Sequence, residues 1–123
     1  MKKKVLVADD NEVIRFLLEN YLAAHFEVST CPDGIALLEN LKRGELPDAI
    51  IADVNMPNMD GWELLQNLKT SMLLRNIPVI ILSGLEKSQE RVRFLKSGAS
   101  DFLTKPFNPE ELLIKIQNLT LKH

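Results

Sequence analysis

The sequence has one cysteine, Cys31, so no disulfide framework can hold the chain together. That suits a reducing, cytoplasmic setting and marks Cys31 as a small packing residue rather than a reactive thiol. No apolar run approaches the roughly 20 residues that span a bilayer. The opening "MKKK" is followed only by Val5 to Ala8 before Asp9 and Asp10 interrupt, too short an apolar stretch for a secretory leader. Lys2 to Lys4 therefore read as a solvated lead into a first strand. An excess of one charge is lacking as well: 15 Lys and Arg against 17 Asp and Glu leave a net charge of −2, which removes the electrostatic basis for nucleic-acid binding by this domain. Linkers, repeats and low-complexity tracts are missing too, so residues 1–123 read as one domain. At this length a chain buries roughly two thirds of its unfolded surface and needs no metal merely to fold.

What is present is alternation. "VLVA" (5–8), "AIIA" (49–52) and "VIIL" (79–82) are short continuous apolar runs, the pattern of strands covered on both faces. Helical stripes lie between them, one through Ile14, Leu17, Leu18, Tyr21 and Leu22, another through Gly61, Leu64, Leu65 and Leu68. "FEVST" (26–30) alternates and suits an edge strand, and "GIALLENLKRG" (34–44) reads as a helix stopped by Gly44. A charged helix over 85–98 presents only a shallow stripe, Val92 and Leu95, which predicts loose docking; it ends at Gly98, and a short strand over 100–104 follows. Asn108 as N-cap, Pro109 at the first helical position and Glu111 at the capping-box site announce a last helix with Leu112, Leu113, Ile116 and Leu119 inward. Five β-α units imply an α/β fold of the flavodoxin-like class, a five-stranded parallel sheet in the order 2-1-3-4-5 with helices on both faces. A six-strand dinucleotide fold needs more chain and a glycine-rich first turn, which "ADDNEV" does not offer.

Open parallel sheets bind ligands beyond the carboxyl ends of their strands, where the winding reverses. Strand 1 ends in Asp9 and Asp10, strand 3 in Asp53 and strand 4 in Ser83, and strand 5 is followed by Lys105. In this strand order the three aspartates converge. Two carboxylates about 4 Å apart repel by roughly 4 kcal/mol at an effective dielectric near 20, so the cluster calls for a cation beyond what Lys105 supplies. Oxygen donors without histidine or cysteine favour Mg²⁺ over zinc. An aspartate after a strand often merely caps the next helix, and Asp10 or Asn11 suits that position; capping does not account for all of these groups on one rim.

In order, "VLVADDN", "IIADVNMPNMDG", "VIILSG" and "DFLTKPF" resemble the receiver domain of two-component response regulators, the CheY-like family, over essentially the whole chain. The resemblance implies that Asp53 is the phosphoacceptor for a phosphohistidine on a sensor histidine kinase or histidine phosphotransfer protein. It implies Mg²⁺, with Mn²⁺ as a substitute, bound by Asp10, Asp53 and the backbone carbonyl of Asn55, with Asp9 acting mainly through water. Lys105 would neutralise the phosphoryl group, and the Lys105–Pro106 peptide would be cis. Ser83 and Phe102 would be the switch pair, acting on a face of helix 4, strand 5 and helix 5 that controls a downstream target or an output domain. Such a module is a signalling device with intrinsic autophosphotransfer and autodephosphorylation, not a conventional enzyme. Leu85, apolar where some relatives carry a group that orients water, implies slow loss of the phosphoryl group. The competing readings are a receiver-fold scaffold that is never phosphorylated, and a small aspartyl-phosphate phosphatase; the latter places its nucleophile after the first strand in a D-x-D context, which the adjacent Asp9 and Asp10 do not match. Away from the rim, His25 and His123 have no placed partner, and Trp62, Met56 and Met59 read as packing.

Overall fold

Each apolar run becomes a strand and each stripe a helix. The structure, a computed structural model, describes residues 2–44, 46–84 and 88–121. In chain order it runs β1 (Lys3–Ala8), α1 (Glu12–Leu22), β2 (Phe26–Cys31), α2 (Gly34–Arg43), β3 (Ala49–Asp53), α3 (Gly61–Lys69), β4 (Val79–Ser83), α4 (Ser88–Lys96), β5 (Asp101–Thr104) and α5 (Pro109–Thr120). The strands form one parallel sheet in the order β2-β1-β3-β4-β5, as the alternation predicts. Leu85, His123 and the expected first residues of helix 4 lie outside the described residues.

Successive strand side chains point to opposite faces, and the core splits accordingly. Leu6, Ile50, Ala52, Ile81 and Phe102 pack under α2, α3 and α4, with Leu37, Leu64, Leu65, Leu68 and Phe94. Val5, Val7, Ile51, Ile80 and Leu103 pack under α1 and α5, with Leu18, Leu22, Leu112 and Ile116. Cys31 is buried in the first cluster. Carried one step past the strands, the same alternation sends Asp9, Asp53 and Lys105 to the α1/α5 side of the rim and Ser83, with Phe102, to the α2/α3/α4 side.

Two helices differ from their expected faces. On α1 only Leu18 and Leu22 are buried, whereas Leu17, Tyr21, Val13 and Phe16 are exposed. On α4 the anchor is Phe94, fully enclosed, while Val92 and Leu95 face solvent. The expected loose docking is therefore replaced by a single deep aromatic plug: Phe94 meets Trp62 edge-on at 5.3 Å between centroids and Phe102 at 5.8 Å. Helix α4 closes on Gly98, whose φ of 107° is open to glycine; Ala99 N–H donates to Phe94 O and Gly98 N–H to Leu95 O, a Schellman ending.

Candidate functional site

The first helix start decides how the two adjacent acids are used. Asn11 is the N-cap of α1, its Oδ1 accepting from Val13 and Ile14 N–H, so capping does not fall to Asp10, which lies exposed at the mouth of the rim. Asp9 is completely buried. Its Oδ1 accepts from Asn11 N–H at 2.9 Å and its Oδ2 from Lys105 Nζ at 2.9 Å. Its backbone carbonyl accepts from the Arg15 guanidinium at 2.7 Å.

Asp53 closes β3 and is likewise buried. Lys105 Nζ stands 3.2 Å from its Oδ1, so one ammonium bridges Asp9 and Asp53. Burial opposes the charge on Lys105, but the Asp9 hydrogen bond and the charges of Asp53 and Asp9 outweigh it and raise its pKa. For Asp53 the balance is opposite. Burial first, and then the Asp9 charge, push its pKa up from 3.8 to about 6 against the pull of Lys105. Ser83, buried at the end of β4, receives Lys105 N–H on its carbonyl at 2.7 Å, which ties the lysine's backbone to the end of β4. The Lys105–Pro106 peptide is cis. Phe102 lies in the core against Phe94 rather than at the rim. Asn55 is exposed on the β3–α3 loop, two residues beyond Asp53.

One carboxylate oxygen from each of Asp9, Asp10 and Asp53 lies within 4.8 Å of the others. Three carboxylates against one ammonium leave two negative charges in a partly buried space. An all-oxygen donor set with that charge fits a hard divalent cation such as Mg²⁺ and not a thiolate- or imidazole-seeking metal.

The β3–α3 loop returns tightly on itself. Gly61 N–H donates to Val54 O at 2.9 Å, and a Cβ on Gly61 would fall 2.5 Å from the carbonyl oxygen of Asp53. Glycine here is a packing requirement of the end of β3. The sequence reading missed three contributors: Arg15, which holds the Asp9 carbonyl, and the pair Asp33 and Asn58, joined at 2.8 Å between α2 and this loop. Arg15 carries no sequence signal. Asp33 and Asn58 carry weak ones, an aspartate before a helix and an asparagine inside a turn.

Comparison with known proteins agrees with this fold. The family described as the response regulator receiver domain matches residues 5–117. The response regulator PleD of Caulobacter vibrioides is 41% identical over 121 residues, covering 98% of this chain and 26% of PleD. Thus the chain spans about a quarter of that relative's length. Among solved structures, the Francisella response regulator 1452 receiver domain superposes with a TM-score of 0.90 at 36% identity, covering 97% of both chains. The chemotaxis response regulator CheY4 of Vibrio cholerae does so at 0.88 and 33% identity, covering 97% of this chain and 99% of its own.

Proposed function

Because the chain belongs to the response regulator receiver domain family of two-component signalling, we propose that residues 1–123 act as one phosphorylatable receiver with Asp53 as acceptor. The observation that carries this reading is the seating of Asp53: a buried carboxylate at a strand end, 3.2 Å from Lys105 and grouped with Asp9 and Asp10. With a pKa of about 6, Asp53 is ionised at neutral pH and needs no general base. Its oxygen forms the bond to phosphorus as the phosphorus–nitrogen bond of the donor phosphohistidine breaks. The bonding pair goes to the imidazole nitrogen, which takes its proton from water. The reaction requires in-line placement and charge neutralisation above all.

Rigid β3 and the Gly61 contact hold the nucleophile, and Lys105 supplies a fixed positive charge for the transferring oxygens. Asp10, Asp53 and the Asn55 carbonyl would hold Mg²⁺, with Mn²⁺ able to replace it and Asp9 acting through water; the ion contributes further charge neutralisation when bound. Asp9, both of whose oxygens are already engaged, suits that indirect role.

The surface supports a protein partner. Exposed Val13, Phe16 and Leu17 on α1, with a groove of about 490 Å³ that Tyr21, Phe107 and Pro109 share with Lys105, offer an apolar bed beside the acceptor. A protein donor, a sensor histidine kinase or histidine phosphotransfer protein, fits that bed better than a small molecule alone. After transfer, Ser83 and Phe102, on the same side of the sheet, bias the face of α4, β5 and α5, where Val92, Leu95 and Ile114 are exposed to a target or output domain. One charge-assisted hydrogen bond of about 1.5 to 3 kcal/mol shifts such an equilibrium roughly tenfold to a hundredfold. Among the described residues no helix is long and apolar enough to cross a membrane, in keeping with a proposed cytoplasmic site of action.

The test is acetyl phosphate with Mg²⁺ followed by intact-mass measurement. The chain should gain one phosphoryl group, and Asp53→Asn should gain none. An unmodified chain would leave the scaffold reading in its place.

A further inference from the structure

The β3–α3 loop that carries Asn55 is fastened from outside the rim. Asp33, the N-cap of α2, uses Oδ1 to accept from Ala36 N–H at 2.8 Å and Oδ2 to accept from Asn58 Nδ2 at 2.8 Å. Asn58 sits at φ 66°, a left-handed conformation that asparagine tolerates better than most residues. In the same place Gly34 N–H donates to Met59 O at 3.1 Å, and a Cβ on Gly34 would fall 2.8 Å from Met59 Cγ and 3.0 Å from its carbonyl oxygen. The start of α2 is therefore docked on residues 58 and 59 by two hydrogen bonds and a close backbone approach. At its other end the loop is tied to the sheet by Val54 N–H to Leu82 O at 2.9 Å. Asn55 lies between these two anchors.

We propose that Asp33 and Asn58 form a clasp that positions the β3–α3 loop for metal binding, so that α2 sets the Mg²⁺ affinity of the acceptor site without touching the ion. The inference rests on the receiver reading, since it presumes that Asn55 offers its carbonyl to the cation. The physical ground is that a carbonyl on a loop contributes to a rigid octahedral site only if the loop is already held; otherwise binding must also order it. A partly enclosed carboxylate accepting from a side-chain amide is a charge-assisted bond, stronger than a neutral pair. Among the described hydrogen bonds, the start of α2 reaches this loop through the Asn58–Asp33 bond and the Gly34–Met59 backbone bond, and the clasp is the one of the two made by side chains.

Three variants separate the clasp from its neighbours' needs. Asn58→Gly keeps the positive φ and removes the amide. Asp33→Ser keeps an N-cap for Ala36 and removes the clasp. The double swap Asp33→Asn with Asn58→Asp restores the cap, the net charge and one amide-to-carboxylate bond in reversed polarity. Each is titrated with Mg²⁺ by calorimetry, melted without Mg²⁺, and phosphorylated with acetyl phosphate across Mg²⁺ concentrations.

Both single variants should bind Mg²⁺ about tenfold more weakly, with a limiting phosphorylation rate at saturating Mg²⁺ within about twofold of wild type, and the swap should recover most of the affinity. Unchanged Mg²⁺ affinity in Asn58→Gly and Asp33→Ser, or a loss of limiting rate alone, overturns the clasp. So does an affinity loss that follows the fall in melting temperature and is not recovered by the swap. If the wild-type chain itself neither binds Mg²⁺ nor takes up phosphoryl, the receiver reading fails together with the clasp. If wild type does both and the variants match it, the clasp alone fails.

Discussion

At Asp53 two demands oppose each other, since the proposed phosphoacceptor must be enclosed to be held still and charged to act. Its folded pKa of about 6 lies above the unfolded 3.8, so the folded state binds more protons between those values. Stability contributed by that group is complete below about pH 3.8 and is lost as pH rises through about 6, a cost on the order of 3 kcal/mol at neutral pH without a cation. Asp53→Asn is therefore expected to resist urea better than wild type at pH 7.5, by about 2 to 3 kcal/mol, with the gain largely gone near pH 4; paired denaturation curves check both the sign and the window. Gly61 is the second residue whose identity is dictated locally. Gly61→Ala drives a Cβ to 2.5 Å from the Asp53 carbonyl and should cost about 1 to 3 kcal/mol and slow phosphorylation, whereas Gly84→Ala, with open space around its Cβ, should do neither. Asp9, Asp53, Ser83 and Lys105 are readable in the sequence because each terminates or follows an apolar run. Arg15 is not, and Asp33 and Asn58 are only faintly so, because each acts on a partner that is near only after folding.

Among the elements, α4 differs most from what its sequence announces. Its charges suggest a helix that barely docks, yet Phe94 is enclosed between Trp62 and Phe102. Val92 lies about 200° around the helix from Phe94, so no single stripe includes both. One large aromatic does the work usually shared by several aliphatics, and periodicity, which counts positions rather than contact area, underrates it. Phe94→Ala should destabilise the fold by about 3 to 5 kcal/mol, while Val92→Ala and Leu95→Ala should stay within about 1 kcal/mol; thermal or urea unfolding of the three separates the faces. Arg93 stacks over the Trp62 ring at 3.7 Å, linking α4 to α3. Trp62 is the only tryptophan, so its fluorescence reports on that contact. If phosphorylation shifts α4, Trp62 emission should change on adding acetyl phosphate and Mg²⁺ and should not change in Asp53→Asn. For α3 and α5 the stripes read correctly toward the core; of the α1 stripe Leu18 and Leu22 are buried and Ile14 partly so, while Leu17 and Tyr21 stay exposed.

Taken whole, the molecule holds an uncompensated charge at one end of its sheet, three carboxylates against one ammonium. A divalent ion that binds only the folded state stabilises it by about 2.7 kcal/mol at a concentration a hundred times its dissociation constant, or roughly 10 °C in melting temperature for a domain of this size. Adding Mg²⁺ should raise the melting temperature by that order, chelation should reverse it, and Asp10→Asn should remove most of the effect; calorimetric melts with and without chelator read all three. The strand order, the two helical layers and the rim follow from the linear pattern, because hydrophobic periodicity and right-handed crossovers admit few other arrangements. Which residue caps α1 and which acid stays at the mouth, how one lysine spans two aspartates, what fills the space beneath α4 and how α2 reaches the β3–α3 loop were settled in three dimensions. These outcomes depend on distances of a few ångströms between residues far apart in the chain, and periodicity carries no information at that scale.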